Sequence, residues 1–244
     1  MKLKEFTPHS HLTSFIDGYW DVSGMEHQKS MATVVPDGCV DIIINVGDDF
    51  YIESEDVVLK SEKAYLGGAI TRCMSTKASP DTHLVGVRFK PGAFSHFYSF
   101  ASLHEVTNII LEVENAFVPD LKSLANGLSS AFDSFFHNKL IQPKRTLLPV
   151  VDTVKNHHGN ISVKKLADQH CTTVRQLERH FKYHIGLGPK EFTNIIRCKF
   201  AQHLVLTSDP KRTLDDIAFE CGYYDLAHLS NEIKKYTGIA PTDL

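Results

Sequence analysis

Two short amphipathic segments joined by a sharp turn constrain this chain more than any other feature. The segment 162–183 reads SVKKLADQHCTTVRQLERHFKY and predicts a first helix over 163–169. A second helix begins at Thr172 or Thr173, because either hydroxyl can accept a backbone N–H and so cap a helix. The segment therefore predicts a helix-turn-helix unit.

The second helix of this unit has one packing face and one charged face. Its apolar residues share one side and are Val174, Leu177 and Phe181. Its cations recur at i, i+4 and i+7 on a different side and are Arg175, Arg179 and Lys182. A helix of this width fits the major groove of B-DNA. A solvated surface helix would show the same pattern, and this segment alone leaves that alternative open.

The same pattern returns over 214–236. Thr213 is a predicted N-cap with Asp216 three residues later, which is close to a capping box. Cys221 and Gly222 predict the turn, where glycine accepts a left-handed conformation. A second helix follows, capped by Asp225. Its predicted core residues are Leu226 or Leu229, then Ile233 and Tyr236.

A longer helix is predicted between the two copies, over 189–206. Its apolar residues recur at every fourth position and are Phe192, Ile196, Phe200 and Leu204. Eighteen residues at about 1.5 Å each give a length of about 27 Å. Such a helix could hold two reading helices about one turn of DNA apart, which is about 34 Å.

Charge is distributed unevenly between the two ends of the chain. The 244 residues carry a formal net charge of −3. Residues 144–244 hold 15 Lys and Arg against 11 Asp and Glu, whereas residues 1–143 hold 11 against 18. A basic C-terminal part and an acidic N-terminal part are typical of separate binding and regulatory domains.

Composition indicates a cytoplasmic location. The 5 cysteines are scattered and odd in number, which favours reduced thiols over a disulfide framework. No run of about eighteen apolar residues predicts a membrane span, and the N-terminus lacks the apolar core of a secretory signal.

The N-terminal part predicts a β-rich domain with flanking helices. Turn residues at Pro36-Asp37-Gly38 precede a β-branched run. A first strand is predicted to start at Trp20, and further strands are predicted over 40–46, 51–59, 64–70 and 83–89. Several short strands of this kind suggest a small barrel or sandwich. Helical segments are predicted over 8–19, 119–136 and 146–156. The segments 93–100 and 103–111 are predicted to be either helices or a loop with helical turns. The predicted fold is α+β, divided into a sensing or dimerisation domain (1–118), a helical connector (119–143) and an all-α domain (144–244).

The C-terminal part resembles the AraC/XylS family of bacterial transcription regulators. The matching residues lie within about 160–242 and include Leu166-Ala167, Arg175 to Lys182, Gly186, Pro189-Lys190, Arg197, Ala201, Ile217 to Asp225, His228-Leu229 and Lys234 to Pro241. The resemblance implies two helix-turn-helix units joined by a linker helix. The front half, with PDGCVDIIINV and GVRFKPGAF, also resembles the N-terminal domain of some of these regulators.

The resemblance implies specific DNA contacts. Base contacts are implied for Arg175, Glu178 and Arg179, and phosphate contacts for Thr173, Gln176 and Lys182. An arginine can hold guanine O6 and N7 with two hydrogen bonds, worth about 1–3 kcal/mol of discrimination. For Glu178, a helical ion pair with Arg175 is an equal alternative.

The second reading helix departs from the family pattern. Its implied DNA contacts are Leu226, Ala227, His228 and Asn231. The family often has arginine at the position of Asn231 and phenylalanine at those of Leu229 and Ile233. Residues 160–208 hold 8 Lys and Arg against 3 Asp and Glu, whereas 209–244 hold 4 against 7. Because cations drive binding by counterion release, we expect the first unit to dominate affinity and base readout.

Candidate ligand residues in the front domain are Trp20, Asp41, Arg88 and Lys90. If Arg88 and Lys90 point inward they could hold an anion; if they point outward they are surface charges. No catalytic, phosphate-loop or cofactor motif is present, so we expect no enzyme activity and no cofactor. His9 and His11 lack a third ligand in sequence, so no metal site is expected.

The expected partners follow from these assignments. Double-stranded DNA is the main one, with a small-molecule effector, a second copy of the chain and RNA polymerase as further candidates and no membrane. The apolar helix 119–136 favours a dimer interface or packing on the β-rich domain. The alternatives for the front domain are a role in protein contacts alone or, with least support, an enzyme.

Overall fold

The computed structural model describes residues 2–24, 30–52, 56–141, 146–209 and 212–243. In these ranges the strands are β1 (Lys2–Phe6), β2 (Ile16–Ser23), β3 (Ser30–Val34), β4 (Val40–Asn45), β5 (Phe50–Ile52), β6 (Val57–Leu59), β7 (Ala64–Gly67), β8 (Met74–Ala78), β9 (His83–Phe89) and β10 (Ile110–Val113). The α-helices are α1 (Leu121–Asn126), α2 (Leu128–Lys139), α3 (Leu148–Asn156), α4 (Val163–Gln169), α5 (Val174–His184), α6 (Pro189–Thr207), α7 (Leu214–Glu220) and α8 (Leu226–Thr237).

The front domain is built on a six-stranded antiparallel sheet of order β1-β2-β9-β4-β7-β10. Two further ribbons, β3-β8 and β5-β6, lie outside this sheet. The predicted α+β fold, with a β-rich front and a helical C-terminal region, is confirmed.

The two faces of this sheet carry different kinds of side chain. On one face Ile42 and Val87 join a buried core with Phe132 and Phe136 of α2. On the other face lie the side chains of Asp41 on β4 and those of its neighbours on β2 and β9. Because side chains alternate along a strand, apolar residues on one face leave polar residues between them free to form a site on the other.

The C-terminal helices share one apolar core. Leu177 and Phe181 of α5 and Leu229 and Ile233 of α8 are all at most 1% exposed. They belong to one buried cluster that also takes in residues of α3, α4, α6 and α7. The two helix-turn-helix units therefore pack on the same linker helix, α6.

The front domain contacts the end of the first reading helix. The carbonyl oxygen of Gly186, just after α5, lies 2.8 Å from His104 Nδ1 and accepts a 2.9 Å hydrogen bond from the Thr107 hydroxyl. The Tyr183 hydroxyl donates to the carbonyl of Phe100 at 3.0 Å. Carbonyls at a helix C-terminus lack partners within the helix, and here the front domain supplies two donors.

Three segments of the front domain that were predicted to be helical form less helix than expected. The helix predicted over 8–19 is a set of turns followed by β2, although Leu12, Ile16 and Tyr19 are buried as expected. β-Sheet pairing with β1 and β9 overrides the local helical spacing. Over 93–111 the structure forms a loop with short 3-10 turns, which was the second alternative, and then the unpredicted strand β10.

The helix predicted over 119–136 is broken at Gly127. This residue has φ 160° and ψ 108°, which is outside any helical conformation, and it separates α1 from α2. Leu124 and Phe132 still enter the front-domain core, so the predicted connector packs on the β-rich domain. The predicted boundary at 143/144 falls in 142–145, outside the described residues.

The burial pattern of α6 also differs from the prediction. Phe192 is buried, but the other buried positions are Ile195, Cys198 and Ala201, whereas Ile196, Phe200 and Leu204 are only partly covered. The reason is that helices from both units pack around α6, so its core is wider than a single row. No helix within the described ranges is both long enough and apolar enough to cross a lipid bilayer.

Candidate nucleic-acid interface and ligand cavity

The first reading helix, α5, begins with a complete capping box. The Thr173 hydroxyl accepts from the Gln176 backbone N–H at 3.2 Å, and the Gln176 side chain accepts from the Thr173 N–H at 3.3 Å. The N-cap of the helix is therefore Thr173, one of the two residues predicted from the sequence. Both side chains are occupied within the chain, although phosphate contacts had been implied for them.

The cationic face of α5 is open to solvent. Arg175, Arg179 and Lys182 are all exposed. In the described part of the chain none of the three forms an ion pair, and Glu178 pairs with neither Arg175 nor Lys182. The opposite face buries Leu177 and Phe181, whereas Val174, predicted to be in the core, is 38% exposed in the first turn. The helix thus presents unpaired cations on a rigid support.

The second reading helix, α8, presents a different surface. Its N-cap is Asp225, whose carboxylate accepts from the His228 backbone N–H at 2.7 Å. Ala227, His228 and Asn231 are exposed, as a reading surface requires. Leu226 is half-buried and packs against the C-terminal core, so it is a weaker candidate for a base contact than the sequence implied.

The second unit has few free cations. Arg212 is paired with Glu220 at the far end of α7. Lys234 and Lys235 are exposed at the C-terminal end of α8, and Lys211 lies outside the described residues. The structure therefore accentuates the charge inequality between the two units.

Two exposed aromatic side chains in the second unit were missed from the sequence. Phe219 on α7 is 86% exposed, and Tyr224, which precedes the N-cap of α8, is 92% exposed. The neighbouring Tyr223 takes the buried position instead and lies under the guanidinium of Arg197 at 4.6 Å.

Three of the four predicted ligand residues come together on one face of the front sheet. Trp20, Arg88 and Asp41 project from the adjacent strands β2, β9 and β4. Trp20 Nε1 donates to Asp41 Oδ1 at 3.0 Å, and Arg88 Nε donates to the two oxygens of Asp41 at 3.1 and 3.3 Å. Gly86 on β9 leaves room for the indole of Trp20, because a β-carbon there would clash with the Trp20 ring.

These side chains lie at the wall of a cavity of about 720 Å³. Asp37, from the predicted turn, also lines it, and its Oδ2 lies 3.5 Å from Arg88. Lys199 of α6 lines the cavity from the C-terminal domain. Pockets of roughly 300–1,000 Å³ accommodate small organic ligands.

Lys90 does not reach this cavity. β9 ends at Phe89, and Lys90 Nζ donates to the carbonyl of Thr13 at 2.6 Å. Arg88 does point inward, but Asp41 and Asp37 already engage it. The interpretation of Arg88 and Lys90 as a joint anion site is therefore wrong for Lys90.

Burial and charge tune the groups at the cavity wall. Asp41 raises the pKa of Arg88, which therefore stays protonated. Burial raises the pKa of the Cys39 thiol well above its usual range, and the nearby Asp37 adds to the shift. Cys39 is accordingly a neutral thiol at pH 7.

A third histidine, His137 of α2, lies beside His9 and His11. The sequence did not indicate it, because it is more than a hundred residues away in the chain. His137 Nδ1 lies 2.9 Å from His11 Nε2, and His9 contacts the other nitrogen of His11. Since each contact uses a different nitrogen, the rings form a chain rather than converge. In the described part of the chain no group of three His, Cys, Asp or Glu side chains is arranged to hold a metal ion.

Two known domain families match this chain. Residues 166–244 match a helix-turn-helix domain, and residues 4–112 match a domain of unknown function, DUF6597. The HTH-type transcriptional activator RhaS of Escherichia fergusonii is 34% identical over 84 residues. The RhaS of Salmonella arizonae is 33% identical over 79 residues. The C-terminal domain is therefore similar to helix-turn-helix domains of transcription regulators.

The similarity to RhaS extends over only part of each chain. The match to the Escherichia RhaS covers 34% of this chain and only 30% of that protein. The solved structure of ToxT from Vibrio cholerae is similar over 100% of this chain and 97% of ToxT, with a TM-score of 0.52 and 13% identity. At that identity the likeness shows a shared two-domain fold and nothing about ligands.

Proposed function

We propose that this protein is a sequence-specific DNA-binding transcription regulator whose first helix-turn-helix unit supplies most of the base readout. The unpaired, exposed cations on α5 carry the proposal: Arg175, Arg179 and Lys182. The similarity of the C-terminal domain to a helix-turn-helix domain and to the transcriptional activator RhaS supports the DNA-binding role. In this proposal Arg175 and Arg179 face bases, and Lys182 contacts a phosphate.

We propose that the front domain is the sensing part of the regulator. The cavity at Trp20, Asp41 and Arg88 supports this role over one limited to protein contacts. Lys199 of α6 lines the same cavity, so a ligand there would contact the helix on which both reading helices pack. Contacts with a second copy of the chain and with RNA polymerase remain expectations from the sequence.

The test is selection of duplexes from a random pool by the full-length protein, followed by fluorescence anisotropy on the enriched sequence. We expect enrichment of a defined site, and weaker binding by Arg179→Ala at that site. Lys122→Ala, an exposed cation on α1, is the matched control and should leave the affinity unchanged. A pool that shows no enrichment, or equal effects of the two variants, would overturn the proposal.

A further inference from the structure

We propose that the front-domain cavity binds an amphipathic organic cation, in which an ammonium group is attached to an apolar body. This inference rests on the proposed sensing function and names the chemistry of its ligand. It concerns the cavity of about 720 Å³ on the face of the front sheet that carries Asp41 and Arg88.

The charges around this cavity are unbalanced. The charged side chains among its described lining residues are Glu5, Asp17, Asp37, Asp41, Arg88 and Lys199. Four carboxylates against two cations leave a formal charge of −2 at the wall. Opposite charge stabilises a ligand in a partly buried site, where interactions are less screened than in water.

The half-buried cation at the cavity wall, Arg88, is already engaged. Arg88 Nε donates to both oxygens of Asp41, and its terminal nitrogen lies 3.5 Å from Asp37 Oδ2. An anionic ligand would have to displace one of these carboxylates and then remain beside it. Such a ligand meets repulsion that a cation of the same shape does not.

Two carboxylates keep free acceptor capacity. Asp37 Oδ1 accepts from the Cys39 N–H at 2.8 Å, and its other oxygen has only the long contact with Arg88. Asp17 forms no hydrogen bond or ion pair with another described residue. An ionised carboxylate has about four acceptor sites, so both can receive an ammonium N–H.

The field near these carboxylates is negative. Burial raises the pKa of the Cys39 thiol first, and Asp37, Asp41 and Asp17 raise it further, with Arg88 alone opposing them. A second negative charge is therefore disfavoured at this end of the cavity. Burial disfavours a charge of either sign, but the effect of Asp37 exceeds the opposing effect of Arg88, so the fixed charges there favour a positive group over a negative one.

The rest of the cavity wall is largely apolar, so it favours a ligand with an apolar body. Its larger hydrophobic members include Trp20, Ile43, Phe50, Ile52, Leu59 and Met74. An indole ring at the wall also attracts a nearby ammonium through its π system. The pairing of an acidic end with an apolar wall selects an amine with an aliphatic or aromatic tail.

Trp20 makes the test direct, because it is the only tryptophan of the chain and lines the cavity. The full-length protein is titrated with phenylbutylamine, phenylbutyrate and phenylbutanol, and tryptophan fluorescence is followed. These probes share a tail and differ in charge. We expect the amine to bind at least about tenfold more tightly than the carboxylate, with the alcohol between them.

Two variants locate the ammonium. Asp37→Asn keeps the acceptor for the Cys39 N–H and removes the charge, and Asp17→Asn removes an exposed charge at the cavity. Each should weaken the amine severalfold and leave the alcohol unchanged. Asp152→Asn, an exposed carboxylate on α3, is the control that should change neither.

Three outcomes would overturn the assignment: phenylbutyrate binding as tightly as the amine, an amine affinity unchanged in both cavity variants, or no fluorescence response to any probe. Operator affinity measured without probe separates these failures from failure of the proposed function. If the operator is bound specifically while the amine fails, the regulator stands and the ligand class is wrong. If the amine binds but leaves operator affinity unchanged, the cavity assignment stands and the sensing role is wrong.

Discussion

The two helix-turn-helix units have the same order of elements but present different surfaces. Each begins with a seven-residue helix capped by a hydroxyl side chain. Each reading helix contributes to the core around α6 two side chains that are at most 1% exposed. α5 exposes three unpaired cations, whereas α8 exposes Ala227, His228 and Asn231 and has its lysines at its far end. The buried face of a helix-turn-helix unit can therefore repeat while its exposed face changes, so packing and surface chemistry are separable.

The units also differ in how the front domain holds them. The chain after α5 is fixed by hydrogen bonds from Thr107 and the His104 ring to one carbonyl. After α8, Gly238 approaches the front domain at Cys73, where a β-carbon would lie 3.2 Å from the sulfur. Polar contacts from the front domain therefore fix the chain just after the helix that carries the cations.

The largest expected effect is the difference between Arg179→Ala and Asn231→Ala in operator affinity. Loss of a bidentate arginine–guanine contact should cost about 1–3 kcal/mol of binding free energy. Asn231→Ala should cost less than about 0.5 kcal/mol, because it removes no charge. Anisotropy titrations on one operator measure both, and equal losses would remove the proposed dominance of the first unit.

The caps should have equal effects on stability and unequal effects on binding. Thr173→Ala and Thr213→Ala each remove the side-chain acceptor of a capping box, so each should lower the free energy of unfolding by about 1 kcal/mol. Urea denaturation measures this loss. Only Thr173→Ala should also weaken operator binding, since it loosens the helix that carries Arg175.

Thr242→Ala, an exposed threonine beyond α8, is the control for the caps. It should change neither stability nor binding. A clear loss of operator affinity in Thr213→Ala, beyond that of Thr173→Ala, would assign the reading role to the second unit.

Adding a cation to the second unit should narrow the gap between the two. Asn231→Arg places an arginine on the exposed face of α8. We expect a gain of about 0.5–1 kcal/mol in DNA affinity from an added phosphate or base contact. Asn126→Arg on α1 controls for net charge; if both gain equally, the effect is nonspecific.

The smallest expected effect is on the salt dependence of binding. Lys182→Ala should weaken all sequences alike and reduce the slope of log affinity against log salt by about 0.9, the share of one phosphate contact. Lys235→Ala should change the slope by less. Repeating the anisotropy titrations at several salt concentrations gives both slopes, and a larger change for Lys235→Ala would contradict the comparison.

Local patterns were enough to predict the C-terminal domain. The caps Thr173, Thr213 and Asp225 and the left-handed turn at Gly222 were all predicted and are confirmed. Each depends on hydrogen bonds or backbone angles within a few residues. The base contacts of α5 and α8 are untested and stay predictions.

The front domain was less predictable because its elements depend on distant partners. Residues 8–19 have helical spacing, yet Ile16 and Tyr19 pair in the sheet with a strand about seventy residues away. β1, β3, β8 and β10 were not predicted from the sequence, and their short runs show no strong alternation. The break at Gly127 was overlooked because apolar residues on either side keep a helical spacing.

The sequence by itself determined the two reading helices, their caps and the unequal distribution of charge, because these are properties of contiguous residues. Only the tertiary structure decided which polar residues form the cavity. Trp20, Asp41 and Arg88 meet because three strands align in register and Gly86 leaves room for the indole, whereas Lys90 falls one residue beyond the strand. Register between strands depends on packing across the whole sheet, and no single segment encodes it.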